Sequence, residues 1–179
     1  MDEKTINRKN TYGIISMILV LCLGFCMLYT DVRPANAATS KTTDIYNSVR
    51  DAYGTGFPLS KNNMIKTPRK NIFGNYSTVL GVSTKYISSY TAAQKSNSKE
   101  EFICMVCKAT SKKSVKKIKT KIKKYIKNEY KSNLSYHSEF GKKLLKKSVV
   151  GSRGKYVYLF VLDTSGNKKA ITAFKESLK

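Results

Sequence analysis

Apolar positions recur along this chain in rhythms that change from segment to segment, and each rhythm predicts an element. The most regular covers residues 112–130, where Val115, Ile118, Ile122, Ile126 and Tyr130 follow at intervals of three and four. That spacing lays them in one stripe along an α-helix, with Thr110 or Ser111 as its N-cap. Residues 44–53 carry a shorter version, with Ile45, Val49 and Ala52/Tyr53 between a capping Thr43 and a terminating Gly54. After a boundary at Pro68, Ile72, Phe73, Tyr76 and Val79 share one helical face, which predicts a short helix over residues 70–79 closed by Gly81. Phe140, Leu144 and Leu145 predict another helix over residues 138–146. A closing helix over residues 168–178 turns Ile171, Phe174 and Leu178 inward.

Elsewhere the pattern is that of strands. Residues 85–93 are rich in Tyr, Ile, Ser and Thr, residues 101–108 are strongly apolar, and the polar residues 94–99 between them make a hairpin turn. Val149-Val150 and residues 155–162, joined across Gly151-Ser-Arg-Gly154, predict a second hairpin. Residues 163–167, Asp-Thr-Ser-Gly-Asn, read as a turn. Gly54-Thr-Gly56 is also a turn: it is too short for a phosphate-binding loop, and no Gly-Lys-Ser/Thr follows it. Neighbouring strands with short links pair antiparallel. The expected fold is therefore α+β, an antiparallel sheet of about four strands with helices packed on one face, preceded by an N-terminal signal or anchor segment.

That segment has its own pattern. Lys4, Arg8 and Lys9 precede an apolar run over residues 13–29, as in a secretory signal. Ala35-Asn36-Ala37 then places small residues at −3 and −1 of a cut between Ala37 and Ala38, and Pro34 keeps the stretch extended. The rival is an uncleaved anchor, because the run exceeds the usual signal core of about 7–15 residues and falls just short of the about 20 of a spanning helix. Either way the positive flank stays inside and the remainder lies outside the cytoplasm. Three parts follow: residues 1–37 as signal peptide or membrane anchor, residues 38–43 as a polar tether, and residues 44–179 as a single α+β domain.

Composition changes this picture in one respect. At 179 residues, 41% apolar and 25% charged, the chain is of ordinary globular make-up. A single His excludes catalysis or metal binding built on several imidazoles. The outlier is charge: 34 Lys and Arg against 11 Asp and Glu give +23. Only five of the basic residues are Arg, and abundant Lys, Asn, Ile and Tyr suit an AT-rich genome. Codon bias explains Lys over Arg but leaves the scarcity of Glu unexplained. With the leader's four basic and three acidic residues set aside, the exported part keeps 30 basic and eight acidic residues, +22.

The order of several short segments resembles a known family. They are Ile72-Phe73-Gly74, Leu80-Gly81-Val82, residues 86–93, Glu100-Glu101-Phe102-Ile103, the lysine-bearing helix, Tyr136, Val149-Val150 and Gly154-Lys155-Tyr156-Val157-Tyr158-Leu159. Together they resemble the bacterial domain of unknown function numbered 4358, found in exported or membrane-anchored proteins of Firmicutes, over about residues 70–165. The resemblance implies a location and a fold but no mechanism, cofactor or site. Members often carry a lipid-attachment cysteine. This leader departs from that pattern, since Leu21 and Phe25, not small residues, precede Cys22 and Cys26.

Three candidates for chemistry remain. Cys104-Met-Val-Cys107 has redox-pair spacing, but it lies inside an apolar strand, where residues three apart face opposite sides. Strand cysteines are the simpler reading; a thiol–disulfide redox protein is the alternative, and no partner ligands complete a metal site. His137 lacks an orienting carboxylate and nucleophile, with Glu139 merely close in sequence. The third candidate is the long helix, where Lys112, Lys113, Lys116, Lys117, Lys119, Lys121, Lys123, Lys124 and Lys127 crowd nineteen residues against Glu129 alone. Like charges at helical neighbour spacing repel, and a polyanion relieves that repulsion while releasing its counterions. A solvated face is the plain alternative. The expectation is a non-enzymatic, cofactor-free cell-surface domain. Its expected partner is an anionic cell-wall polymer or an anionic lipid surface, or else a protein of an envelope complex. Nucleic acid is disfavoured by the absence of a base-reading motif and by export.

Overall fold

A computed structural model of the chain describes residues 41–70, 77–97, 100–132 and 139–179. Helix α1 (Lys41–Tyr53) leads through a 3₁₀ turn at Lys61–Asn63 to three short strands, β1 (Arg69–Lys70), β2 (Ser77–Val79) and β3 (Val82–Ser83). A second 3₁₀ turn, Thr84–Tyr86, feeds β4 (Ile87–Ser96) and β5 (Glu101–Ala109). Then come α2 (Lys112–Ser132), α3 (Glu139–Lys146), β6 (Val149–Arg153), β7 (Tyr156–Val161) and α4 (Thr164–Glu176). The architecture is α+β. Strands β4-β5-β7-β6 form an antiparallel sheet in that order, and β1-β2-β3 form a smaller one.

Both expected hairpins are present, and the contact that fuses them is β5 against β7, with Cys104 opposite Phe160 and Val106 opposite Tyr158. These two central strands are buried almost throughout, Phe102 to Cys107 in one and Val157 to Val161 in the other. An unbroken apolar run of this kind marks a strand covered on both sides. Two side chains on β4, three residues apart and so on opposite faces, show how. The Thr91 hydroxyl donates to Thr42 of α1 at 3.2 Å, whereas Gln94 donates through Nε2 to the Tyr125 hydroxyl of α2 at 3.1 Å. One face of the sheet thus carries α1 and the other α2. On the α1 side Tyr158 stacks on Phe160, with ring centroids 4.7 Å apart, and packs against Phe174 of α4 at 4.6 Å. On the α2 side Ile118 and Ile122 are fully buried. Helices cover the expected face and the second one as well.

Some local expectations are corrected. The helix over residues 70–79 does not form at either end: Lys70 pairs with Ser77, and Val79 pairs with Val82 as two strands. Residues 71–76, with Ile72, Phe73 and Tyr76, lie outside the described residues. The deciding feature is Leu80-Gly81, which links the Val79–Val82 pair with φ of 47° and 73°. Two consecutive left-handed residues match the twist of a hairpin and end any helix. A left-handed Leu is costly, but Leu80 is buried, which offsets the strain.

Helix α1 starts at Lys41, so Thr43 lies in its first turn and residues 41–43 are not tether. The hydroxyls of Thr42 and Thr43 find Thr91 across the interface, at 3.2 and 3.0 Å, and this anchors the extra turn. Helix α4 starts at Thr164, four residues before expectation. Asp163 is its N-cap, its side chain accepting the Gly166 N–H at 2.7 Å. The first turn is polar, so apolar spacing could not reveal it. Strand β4 runs on to Ser96, through half of the expected turn.

Candidate functional site

Helix α2 is held by its inner stripe: Ile118, Ile122 and Ile126 are buried, and Val115 and Tyr130 pack at the margins. Gln94 also donates to the fully buried Glu101, at 2.9 Å, so one amide ties β4 and β5 to Tyr125. Burial, chiefly, raises the Tyr125 phenol above its ordinary range. At Gly81 a Cβ would stand 3.0 Å from Tyr125 Cβ, so only a glycine lets the small sheet approach α2 this closely.

With that stripe committed to the core, the lysines point outward. Lys112, Lys113, Lys116, Lys117, Lys121, Lys123, Lys124 and Lys127 are exposed, and Lys119 is half-buried. Helical spacing sorts them into two rows, 112-116-119-123-127 and 113-117-121-124. From residue 112 to residue 127 the axial length is about 22 Å. The second row runs past the 3₁₀ turn before β4, where Lys117 and Lys85 lie 5.4 and 5.2 Å from the centre of the Tyr86 ring. The first row overhangs β6, with Lys123 beside Val149 and Val150. The ion pairs among the described residues lie elsewhere, at Arg50–Asp51, Lys95–Glu100 and Lys142–Glu139. The rows form a continuous positive surface with no large apolar side chain on its outer side. It can attract anions but has nothing to insert into a hydrocarbon layer.

Sequence reasoning found the nine lysines but missed Lys131, which is exposed one turn beyond them, and the Lys85–Tyr86 pair. Helical spacing signalled Lys131; nothing local signalled the other two, because tertiary packing delivers them. Cys104 and Cys107 sit on opposite faces of β5, both fully buried. Burial raises both thiols, Cys107 to about 12. A bond between them would need one side chain to cross the strand, and neither forms a reactive thiolate near neutrality. Glu139 pairs with Lys142 at the start of α3, which holds its carboxyl below the ordinary range. Ala37, Ala38 and His137 lie outside the described residues. Among the described residues no helix is long and apolar enough to cross a membrane, and no three His, Cys, Asp or Glu side chains gather into a metal-binding group.

The family pattern of the domain of unknown function DUF4358 matches residues 62–162. The matched stretch holds both sheets, α2 and α3, and leaves out α1 and α4. No curated protein and no solved structure matches the chain.

Proposed function

The chain belongs to the DUF4358 family, and from that premise we propose an exported, non-enzymatic cell-surface domain whose α2 lysine face binds anionic envelope polymers or lipid headgroups. The observation that carries the reading is the outward set of eight exposed lysines on a helix whose apolar stripe is already spent on the core. A polyanion condenses counterions, and a lysine face that neutralises its charges gains affinity by releasing them. The leader pattern supports a location outside the cytoplasm, where a Gram-positive envelope offers teichoic acids and anionic lipids. If residues 13–29 stay in the bilayer, each lysine near the surface adds about 1 kcal/mol of attraction.

Binding of the chain to teichoic acid and to anionic vesicles, measured across a salt series, tests the proposal. Affinity falls steeply with salt, and replacing Lys113, Lys116, Lys117 and Lys124 with Gln weakens association while the fold persists. Association unchanged by those replacements rejects it. A second reading, an accessory subunit with a protein partner in an envelope complex, draws on a groove beside β6 lined by Ile126, Val149, Val150 and Ile171.

A further inference from the structure

The two edges of the four-stranded sheet are finished differently. Along β4, Ile65 donates its N–H to the Ala92 carbonyl at 2.8 Å and Met64 bridges to Ala93, so a turn of the chain covers that edge. At β6, the two-residue link between Arg153 and Tyr156 makes these a hydrogen-bonded pair. Antiparallel alternation then turns the N–H and C=O of Val149, Gly151 and Arg153 toward β7 and those of Val150 and Ser152 outward. Among the described residues no backbone group meets the outward set.

This edge lies at the bottom of a slot. Lys123 and Ile126 of α2 overhang it from one face of the sheet and Ile171 of α4 from the other. With Ser148, Val149, Val150 and Tyr158 they line an open groove of about 440 Å³. Gly151 keeps the floor low: a Cβ there would collide with the Tyr158 ring, which lies across the strand. Glycine inside a strand suits the close approach of another backbone. The rim is basic. Lys123 is exposed on the α2 side, and on the α4 side exposed Arg153 donates to the Lys175 carbonyl at 2.6 Å.

We propose that β6 is a docking edge for an extended polypeptide segment of alternating apolar and acidic residues, which adds to the sheet as a fifth strand. Its main chain pairs with Val150 and Ser152, its apolar side chains pack against Ile126 and Val150 on the α2 side, and its carboxylates meet Arg153 on the α4 side. An acyl chain would satisfy the apolar walls but offer nothing to the outward N–H and C=O groups of Val150 and Ser152. Only another extended backbone supplies donors and acceptors at the strand repeat. Among the described residues this short edge carries neither proline nor bulge nor covering loop, and its one charge, Arg153, stands at its end.

The test uses the whole chain and an acetylated, amidated heptapeptide alternating glutamate and valine, with its counterpart N-methylated at every valine as control. Hydrogen exchange is followed at individual amides. The peptide slows exchange at Val150 and Ser152 by about tenfold or more, and the N-methylated counterpart, equal in charge, does not. Ile171→Glu, at a half-buried rim position, abolishes the protection through like-charge repulsion. The variant with Lys113, Lys117, Lys121 and Lys124 changed to Gln retains it, which separates this edge from the polyanion surface. No binding, protection by both peptides alike, binding without protection at Val150 and Ser152, protection that survives Ile171→Glu, or loss in the lysine variant would each overturn the proposal.

Discussion

Helices α1 and α4 on one side of the sheet and α2 on the other close one core, yet they turn different surfaces outward. The first pair buries Ile45, Val49 and Phe174 completely and mixes its outer charges, Asp44, Arg50 and Asp51 on α1 and Lys168, Lys169, Lys175 and Glu176 on α4. Polar cross-links pin this side: the Tyr53 hydroxyl donates to Asp163 at 2.6 Å, and the threonines of α1 reach Thr91. Helix α2 buries Ile118 and Ile122 just as completely, but sets ten lysines against one acid. Burial is equal on the two sides while charge is not, so the charge does not follow from covering the sheet. Like charges at helical spacing repel, and the proposed polyanion would offset that repulsion.

The strongest way to break the comparison is to open the core from each side. Phe174→Ala on the α4 side and Ile122→Ala on the α2 side should cost about 3–5 and 2–5 kcal/mol, read by urea denaturation. A negligible loss at Ile122 would mean that α2 is not part of the same core. Next comes the approach of the small sheet to α2. Gly81→Val meets Tyr125 and forces a β-branched residue into a left-handed conformation, so it should cost about 1–3 kcal/mol.

The cap of α4 comes third. Asp163→Ala should cost about 0.5–2 kcal/mol. The carboxyl of Asp163 is held below its ordinary value, first by the Gly166 N–H and then by the Tyr53 hydroxyl. A depressed folded pKa stabilises above the unfolded value, about 3.9, and that contribution fades as pH falls through the folded value. The variant should therefore lose less stability than the wild type on acidification below about pH 4, as melting curves across that range would record. Smallest of all, the lysine variant with Gln at residues 113, 116, 117 and 124 should keep its unfolding free energy within about 0.5 kcal/mol. A loss as large as that of a core substitution would make the charge structural and end the contrast.

How far the sequence reveals the molecule depends on the range of the interaction. The stripe of α2 is legible because its period is local, and so is the outward set of lysines, since whatever is not in the stripe faces water. The opposite facing of Cys104 and Cys107 follows from strand geometry alone. The unbroken run from Phe102 to Val106 also carried a signal of two-sided cover that the hairpin reading did not use. The hairpin at Val79–Val82 was hidden because Ile72, Phe73, Tyr76 and Val79 fit helical spacing as well as two short strands do, and the turn conformation at Leu80-Gly81 decides between them. The first turn of α1 was hidden because threonines hold it through a partner 49 positions away, whereas that of α4 had a local signal in the capping Asp163 that the turn reading did not use.

The sequence by itself determined the α2 stripe, its lysine exterior, the two hairpins and the excess of positive charge, all of them consequences of residue order within a few turns or a strand. Tertiary structure alone decided that β5 meets β7, that α1 and α2 take opposite faces, that Lys85 and Lys117 share the Tyr86 ring, and that β6 ends in a slot while the β4 edge is covered. Those features are pairings between distant segments. They are selected by the free energy of burying both faces of one sheet at once, which no local window of residues contains.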